Sequence, residues 1–224
     1  MCKENYYAKS LNSQKLFQVY ETAIPRVKQY LDEEINFIKK QLTGNESVLE
    51  IGCGYGRILK ELYPYAKAVT GIDISEDSIK FAKEFLKDGS NIYLETMDAY
   101  KMNFKEEFDM VLCLQNGLSA IKGEPEELIQ KCIKALKKNG RAYFSTYSSK
   151  FWNIRLDWFK EQADKKLLGE IDEEKTKDGI IICKDGFKAR TFTEKDFDDL
   201  GKKSGLEYEI KEIDESSLFL IIKT

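Results

Sequence analysis

The sequence predicts a single α/β domain built on a mostly parallel sheet of about seven strands. Apolar segments of strand length alternate with amphipathic helical segments through the middle of the chain. That alternation is typical of a parallel sheet with helices on both faces. The C-terminal end instead carries two strand-like segments joined by a short polar turn, which predicts an antiparallel C-terminal edge strand.

Composition excludes several classes of site. The 224 residues include 39 acidic and 36 basic side chains, and this balance disfavours a nucleic-acid-binding protein. The chain has no histidine, which excludes Ser-His-Asp triads, Cys-His dyads and histidine-ligated metals. The five cysteines include no Cys-x-x-Cys pair, so we expect neither a disulfide framework nor a metal site.

The expected setting of the protein follows from its apolar segments. The N-terminus opens polar, and the longest apolar run, Leu218 to Ile222, is no longer than a strand. We therefore expect a cytoplasmic protein, a monomer or a homodimer, with no membrane partner.

Strands and helices can be placed from apolar spacing and turn residues. Strands are predicted at residues 48–51, 68–72, 92–97, 108–114 and 141–146. A helical segment precedes the first strand, and helices are predicted after Gly56, over residues 75–88 with Ser75 as N-cap, and from Pro125. Asn139-Gly140 predicts a turn into the fifth strand.

The alternation ends after the fifth strand. Residues 147–178 predict one or two helices, Asp185-Gly186 a hairpin turn, and Thr193 the cap of a last helix. Strands at 206–213 and 218–222 close the chain. We divide residues 1–224 into an N-terminal helical segment (1–45), a central alternating part (46–146), an insertion (147–192) and a closing part (193–224).

A glycine-rich turn follows the first strand. Gly52, Gly54 and Gly56 alternate with other residues, Glu50 lies just before them, and Asp73 comes 21 residues after Gly52 at the end of the second strand. A strand that passes through glycines into a helix lets a ligand approach the backbone, and an acid at the next strand end binds ribose hydroxyls. The dinucleotide fingerprint Gly-x-Gly-x-x-Gly differs in having its third glycine one residue later.

At these residues the sequence resembles the class I S-adenosylmethionine-dependent methyltransferases. Residues 48–56, Val-Leu-Glu-Ile-Gly-Cys-Gly-Tyr-Gly, match the first motif of that family. The segments at 71–75, 97–99 and 108–111 resemble later motifs in the same order. Residues 136–141 resemble the usual Leu-Lys-Pro-Gly-Gly turn, with Lys138 and Asn139 as departures. The resemblance implies a Rossmann-like doubly wound fold and a small-molecule methyltransferase. In a single domain of this kind, residues 1–45 would form an N-terminal helical lid, 46–146 the cofactor-binding core and 147–192 an acceptor-side insertion.

The resemblance also implies S-adenosyl-L-methionine as cofactor and assigns roles to particular residues. Glu50 would hold the ammonium group, Asp73 the ribose and Asp98 the adenine amino group, while Ile74 would pack on the adenine. The implied cofactor-binding residues are Glu50, Gly52, Cys53, Gly54, Gly56, Asp73, Ile74, Met97, Asp98, Ala99, Leu114 and Gln115.

Candidate catalytic residues are less specific. They are Gln115, Asn116, Tyr7 and Tyr147. The N-terminal tyrosines 6, 7 and 20 and the aromatic segment 147–158 are the candidate acceptor-side regions. Without histidine, we expect an acceptor that is an amine, thiol or carboxylate rather than an alcohol or phenol.

Alternatives remain open from the sequence alone. Glu50, Asp73 and Asp98 also fit structural roles as a loop carboxylate, a helix cap and a turn residue. Gln115 and Asn116 also fit ordinary loop positions, and the aromatic segment also fits a core helix. For the whole chain, the alternatives are an NAD-dependent oxidoreductase and a non-catalytic S-adenosylmethionine-binding module. A nucleic-acid methyltransferase is disfavoured because Leu-Gln-Asn-Gly at 114–117 replaces Asp/Asn-Pro-Pro-Tyr.

Overall fold

A computed structural model describes residues 13–224. Its strands are β1 (Ser47–Ile51), β2 (Ala68–Asp73), β3 (Ile92–Thr96), β4 (Phe108–Cys113), β5 (Leu136–Tyr147), β6 (Ile180–Ile182), β7 (Lys188–Arg190), β8 (Glu207–Ile213) and β9 (Ser217–Lys223). Its α-helices are α1 (Ser13–Tyr20), α2 (Pro25–Lys39), α3 (Arg57–Leu62), α4 (Glu76–Phe85), α5 (Gly117–Ala120), α6 (Pro125–Ala135), α7 (Trp152–Asp164) and α8 (Glu194–Ser204).

The main sheet has seven strands in the order β3-β2-β1-β4-β5-β9-β8. Strands β1 to β5 pair in parallel, and β9 pairs antiparallel with both β5 and β8. The prediction of a mostly parallel sheet of about seven strands with an antiparallel C-terminal strand is confirmed. The antiparallel strand lies one place inside the edge, because β8 pairs with its outer side.

Two apolar layers cover the sheet. Side chains alternate between faces along a strand, so Val48 packs with residues of α2, α3 and α4 while Leu49 packs with residues of α6 and α8. A third apolar cluster joins α1 and α2 to α7 and the β6–β7 hairpin. This cluster lies beside the carboxyl end of β5, where Tyr147 belongs to it.

Two predicted boundaries were wrong. The helix predicted over 75–88 ends at Phe85, because Leu86 leaves the helix and turns its buried side chain against Gly56. The fifth strand begins at Leu136 rather than at Arg141. Leu136 pairs with Phe108 and Arg141 with Met110, so the predicted Asn139-Gly140 turn is a bulge within β5.

The start of α8 gives a test of helix capping. Thr193 Oγ1 accepts a hydrogen bond from the Asp196 backbone N–H, and the Asp196 carboxylate accepts one from the Thr193 N–H. Thr193→Ala is expected to lower the free energy of unfolding by about 0.5–2 kcal/mol, because one end of this capping box is lost. Thr193→Ser keeps the hydroxyl and is the control. Equal urea midpoints for the Ala and Ser variants would contradict the assignment.

Candidate functional site

One cavity of about 680 Å³ opens at the carboxyl ends of β1, β2 and β4. Most of the residues assigned to cofactor binding line it: Glu50, Gly52, Cys53, Gly54, Asp73, Ile74, Met97, Asp98, Ala99, Leu114 and Gln115. Of the catalytic candidates, Gln115 and Tyr147 line it, while Asn116 does not, and Tyr7 lies outside the described residues. Gly56 also lies off the cavity surface and begins α3. The topology thus brings distant sequence segments to one crevice.

The glycine turn adopts a backbone that few other residues tolerate. Gly52 and Gly54 have φ angles of 70° and 53°, in the left-handed region. The N–H groups of Gly52 and Cys53 both donate to the Ile72 carbonyl, at 2.8 and 3.0 Å, which holds the turn against β2. A Cβ atom on Gly54 would lie 2.7 Å from a methyl group of Leu16, so α1 packs directly on this turn.

Asp73 joins the glycine turn to the start of α4. Its Oδ2 accepts from the Gly54 N–H at 2.9 Å and its Oδ1 from the Ser75 N–H at 2.8 Å. Burial raises the pKa of the Asp73 carboxyl, and these two hydrogen bonds oppose the shift. The cap of α4 is Ser75, whose Oγ accepts from the Ser78 N–H. Asp73 is therefore not the helix cap, and its carboxylate faces the cavity with further lone pairs available.

Glu50 places a buried carboxyl at the floor of the cavity. It is 4% exposed, and its Oε2 makes no hydrogen bond to any residue of the range 13–224. Burial raises the pKa of Glu50 to about 8, with Arg57 lowering it and the carboxylates of Asp73 and Glu34 raising it. Leaving one buried carboxyl oxygen without a hydrogen bond costs free energy.

Arg57 and Glu34 were missed from the sequence. The Arg57 guanidinium lies 4.6 Å from the centroid of the Tyr20 ring, and its Nη2 is buried without a hydrogen bond from residues 13–224. Glu34 Oε1 accepts from the Ser145 hydroxyl at 2.6 Å and from the Gln115 N–H at 3.4 Å. Burial raises the pKa of Glu34, and these hydrogen bonds lower it.

A signal for Glu34 was present in the sequence. Glu34 lies on the apolar stripe of α2, three residues after Leu31 and four before Ile38, and all three side chains are buried. A carboxylate in the middle of a buried stripe marks a polar contact in the core. Arg57 had no comparable signal, because a basic residue in the first turn of a short helix is ordinary.

The opposite end of the cavity carries an exposed apolar side chain. Ile74 is 48% exposed although it follows a buried strand, as expected of a side chain that covers a flat ligand. Beside it, Asp98 Oδ1 accepts from the Tyr100 N–H at 2.9 Å. Asp98 is thus a turn residue, as one alternative had it, and it also lines the cavity.

Aromatic rings line another side of the cavity. We call Tyr147, Trp158, Phe159 and Phe187 the aromatic wall; all four are buried and line the cavity. The guanidinium of Arg155 lies 4.2 Å from the centroid of the Tyr147 ring. Within the same predicted segment, Phe151 and Trp152 pack in the third apolar cluster and not on the cavity.

Asn116 has a structural role in the described chain. Its side chain accepts from the Thr146 hydroxyl at 2.8 Å and donates to the Arg190 carbonyl at 2.9 Å. Its neighbour Gln115 donates its backbone N–H to Ser145 Oγ at 2.8 Å. These contacts fix the turn between β4 and α5.

Two further properties of the described residues bear on the type of site. Across residues 13–224, no group of three or more Cys, Asp or Glu side chains is arranged to hold a metal ion. The helices in that range are all too short or too polar to cross a bilayer.

Comparisons with known proteins extend the resemblance. Residues 48–140 match the model of a methyltransferase domain family. The ubiquinone biosynthesis O-methyltransferase of Hydrogenovibrio crunogenus is 31% identical over 138 residues, which are 60% of this chain and 56% of that relative. This chain therefore matches little more than half the length of that relative.

Solved structures share the fold. The 1,6-didemethyltoxoflavin-N1-methyltransferase of Burkholderia thailandensis has a TM-score of 0.65 at 14% identity, covering 100% of this chain and 91% of that one. The N-methyltransferase NodS of Bradyrhizobium japonicum has a TM-score of 0.60 at 18% identity, covering 99% of each chain. Both were crystallised with S-adenosylhomocysteine.

Glu50 gives a pH test of the site. Its carboxyl, ordinarily with a pKa of 4.5, stays protonated in the folded protein until about pH 8. Between these values the unfolded chain binds fewer protons, so Glu50 makes stability fall as pH rises. Glu50→Gln should remove that part of the slope, at most about 1.4 kcal/mol per pH unit. Urea unfolding of both proteins at several pH values in this window measures it, and parallel curves would contradict it.

The order of the motifs, the sheet and the domain match agree with one another. Residues 48–140 thus match a methyltransferase domain family, and the chain as a whole shares its fold with solved methyltransferases.

Proposed function

We propose that this chain catalyses methyl transfer from S-adenosylmethionine to a small molecule. The observation that carries the proposal is the continuous cavity, which joins the glycine turn and its two carboxylates to the aromatic wall. One end offers polar groups for a nucleoside and an amino acid, and the other offers rings that exclude water. A cavity of about 680 Å³ is in the range of small-molecule sites.

The residues present fit S-adenosylmethionine. Glu50 has a buried oxygen in need of a cationic or hydrogen-bonding partner, which an ammonium group provides. Asp73 has carboxylate lone pairs at the strand end where ribose binds in such folds. Gly52 and Gly54 would let the ligand reach the backbone, and Ile74 would pack on the adenine beside Asp98.

The chemistry that S-adenosylmethionine supplies when bound is a methyl group on a sulfonium, released to an acceptor lone pair as the carbon–sulfur bond breaks. The part left to the protein is alignment of the acceptor and exclusion of water. Leu114 and Gln115 would lie at the methyl end, and the aromatic wall would hold the acceptor. The backbone of Gln115 is fixed because its N–H donates to Ser145 Oγ, and the Ser145 hydroxyl in turn donates to Glu34.

The acceptor atom is the open part of the proposal. With no imidazole to remove a proton, we favour an acceptor that carries a free lone pair or ionises readily: an amine, thiol or carboxylate. The relative from Hydrogenovibrio is named for transfer to oxygen, and the Burkholderia and Bradyrhizobium proteins for transfer to nitrogen. The alternative of an NAD-dependent oxidoreductase finds no support in these comparisons, and an activity assay separates an enzyme from a non-catalytic binding module.

Cofactor choice is tested by calorimetry. We expect binding of S-adenosylhomocysteine and none of NAD. Asp73→Asn keeps the size of the side chain but removes its charge and one acceptor oxygen, so S-adenosylhomocysteine should bind roughly tenfold to a hundredfold more weakly.

Asp109→Asn is the matched control. Asp109 Oδ2 also accepts a strand N–H, that of Ser47 at 2.8 Å, but at the amino end of β4 and outside the cavity. Both variants should have a lower free energy of unfolding than wild type. Only Asp73→Asn should bind S-adenosylhomocysteine more weakly. Equal affinity in the two variants would return Asp73 to a purely structural role, and tight NAD binding would contradict the methyltransferase proposal.

The N-terminal helix α1 has the contacts of a lid. Leu16 lies on Gly54 at one end of the cavity, and the Val19 carbonyl accepts from Trp158 Nε1 at 3.1 Å on α7. Phe17 packs edge-on against Tyr55 with ring centroids 5.4 Å apart. One short helix thus covers both the cofactor end and the acceptor end.

Removal of residues 1–20 should therefore impair ligand retention more than folding. We expect S-adenosylhomocysteine to dissociate at least several-fold faster, because a closed lid must open before release. Trp158→Phe removes the hydrogen bond to Val19 and part of one ring of the aromatic wall, and should give a smaller effect in the same direction. Trp152→Phe, at the other tryptophan of the chain, is the control. Stopped-flow release and thermal melting measure the two effects, and unchanged release from the truncated protein would rule out the lid.

A further inference from the structure

Gln162 is a polar side chain set among the rings that line the cavity. It lies on α7, four residues after Trp158 and three after Phe159, so the three side chains share one face of the helix. Gln162 is 4% exposed and lines the cavity with them. Leu168 continues the same apolar surface.

Within residues 13–224, the side-chain amide of Gln162 has no hydrogen-bond partner. The side-chain carboxamide makes no hydrogen bond or other polar contact with any residue from 13 to 224; only its backbone carbonyl accepts, from the Leu167 N–H at 2.9 Å. The residue as a whole is buried, while its amide atoms are not among the fully enclosed polar atoms that lack a partner, so they open onto the cavity. A carboxamide in that position can be reached by a ligand. No contact within residues 13–224 accounts for a glutamine here.

We propose that the Gln162 carboxamide hydrogen-bonds the methyl acceptor and selects it. This inference rests on the proposed methyltransferase function and deepens it. The carboxamide offers both a donor and an acceptor on one plane. A ligand that lies flat against the aromatic wall and carries a carbonyl, ring N–H or amide at its edge satisfies both.

The charges around the wall narrow the acceptor class further. None of the four side chains of the aromatic wall carries a charge. Arg155 lies over the Tyr147 ring, and Arg57 lies over the Tyr20 ring. A cationic acceptor stacked on these rings would meet a like charge across the ring. The structure assigns to this half of the cavity an uncharged, flat ring compound with a polar edge.

A graded set of ring compounds tests the assignment. Oxindole carries an N–H and a carbonyl, indole carries the N–H alone, and indane carries neither, while all three share one fused ring frame. Wild-type protein should bind them in that order of affinity, measured by calorimetry or ligand-observed NMR with and without S-adenosylhomocysteine. Gln162→Met keeps the length of the side chain without its polar atoms. This variant should bind oxindole about tenfold more weakly than wild type does, and its affinity for indane should stay within a factor of two of the wild-type value.

Stability provides an independent readout. Since the amide is unpaired in the free protein, Gln162→Met should melt at the same temperature as wild type or about 2–4 °C higher. If the glutamine had a purely structural role, Gln162→Met would lower the melting temperature. Gln130→Met, at an exposed position of α6, is the control and should change neither quantity.

The outcomes separate the two proposals. Failure of S-adenosylhomocysteine to bind wild type would overturn the proposed function, and the ring compounds measured without it still test Gln162. If oxindole and indane bind wild type equally, if none of the three binds, or if Gln162→Met keeps the full preference for oxindole, the role of Gln162 is overturned.

Discussion

The site depends on the carboxylate of Asp73. One oxygen holds the N–H of Gly54 and the other holds the N–H of Ser75, so a single side chain fixes the glycine turn and the start of α4 together. Both segments are at the carboxyl edge of a parallel sheet, where loops are otherwise free to vary. The same carboxylate lines the cavity, so in the proposed function structure and recognition share one group.

Two buried polar side chains on the cavity have atoms that lack hydrogen-bond partners among residues 13–224. Glu50 keeps an oxygen without a partner from the described chain, and Gln162 keeps a whole carboxamide in that state. Asn116, by comparison, is equally buried and has both side-chain atoms in hydrogen bonds. These side chains are similar in type and burial, and only the unpaired ones lie on the cavity. Destabilised polar groups of this kind are tolerated where function needs them.

Features that depend on neighbouring residues in the sequence could be predicted from it. The order of strands and helices, the Ser75 cap and the Thr193 cap follow from apolar spacing and capping residues, and the structure confirms them. The glycine turn with Asp73 was recognisable because its parts have a fixed spacing. Glu34 was missed although its position on the apolar stripe of α2 was a local signal. Arg57 and Gln162 were not found, because only the tertiary fold places them beside the cavity. The β5 bulge was misplaced for a related reason: pairing with β4 extends the strand past a sequence that by itself forms a turn.

The position of α1 has a thermodynamic consequence. Its Leu16 touches the glycine turn and its Val19 carbonyl binds Trp158 on α7, so one rigid element closes two subsites. A ligand that binds at one end of the cavity and favours this position of α1 also favours the arrangement of α1 at the other end of the cavity. Linkage then requires the coupling to be reciprocal: the factor by which one ligand raises the affinity of the second equals the factor by which the second raises that of the first. In the proposed function, this eight-residue helix would couple the two binding events.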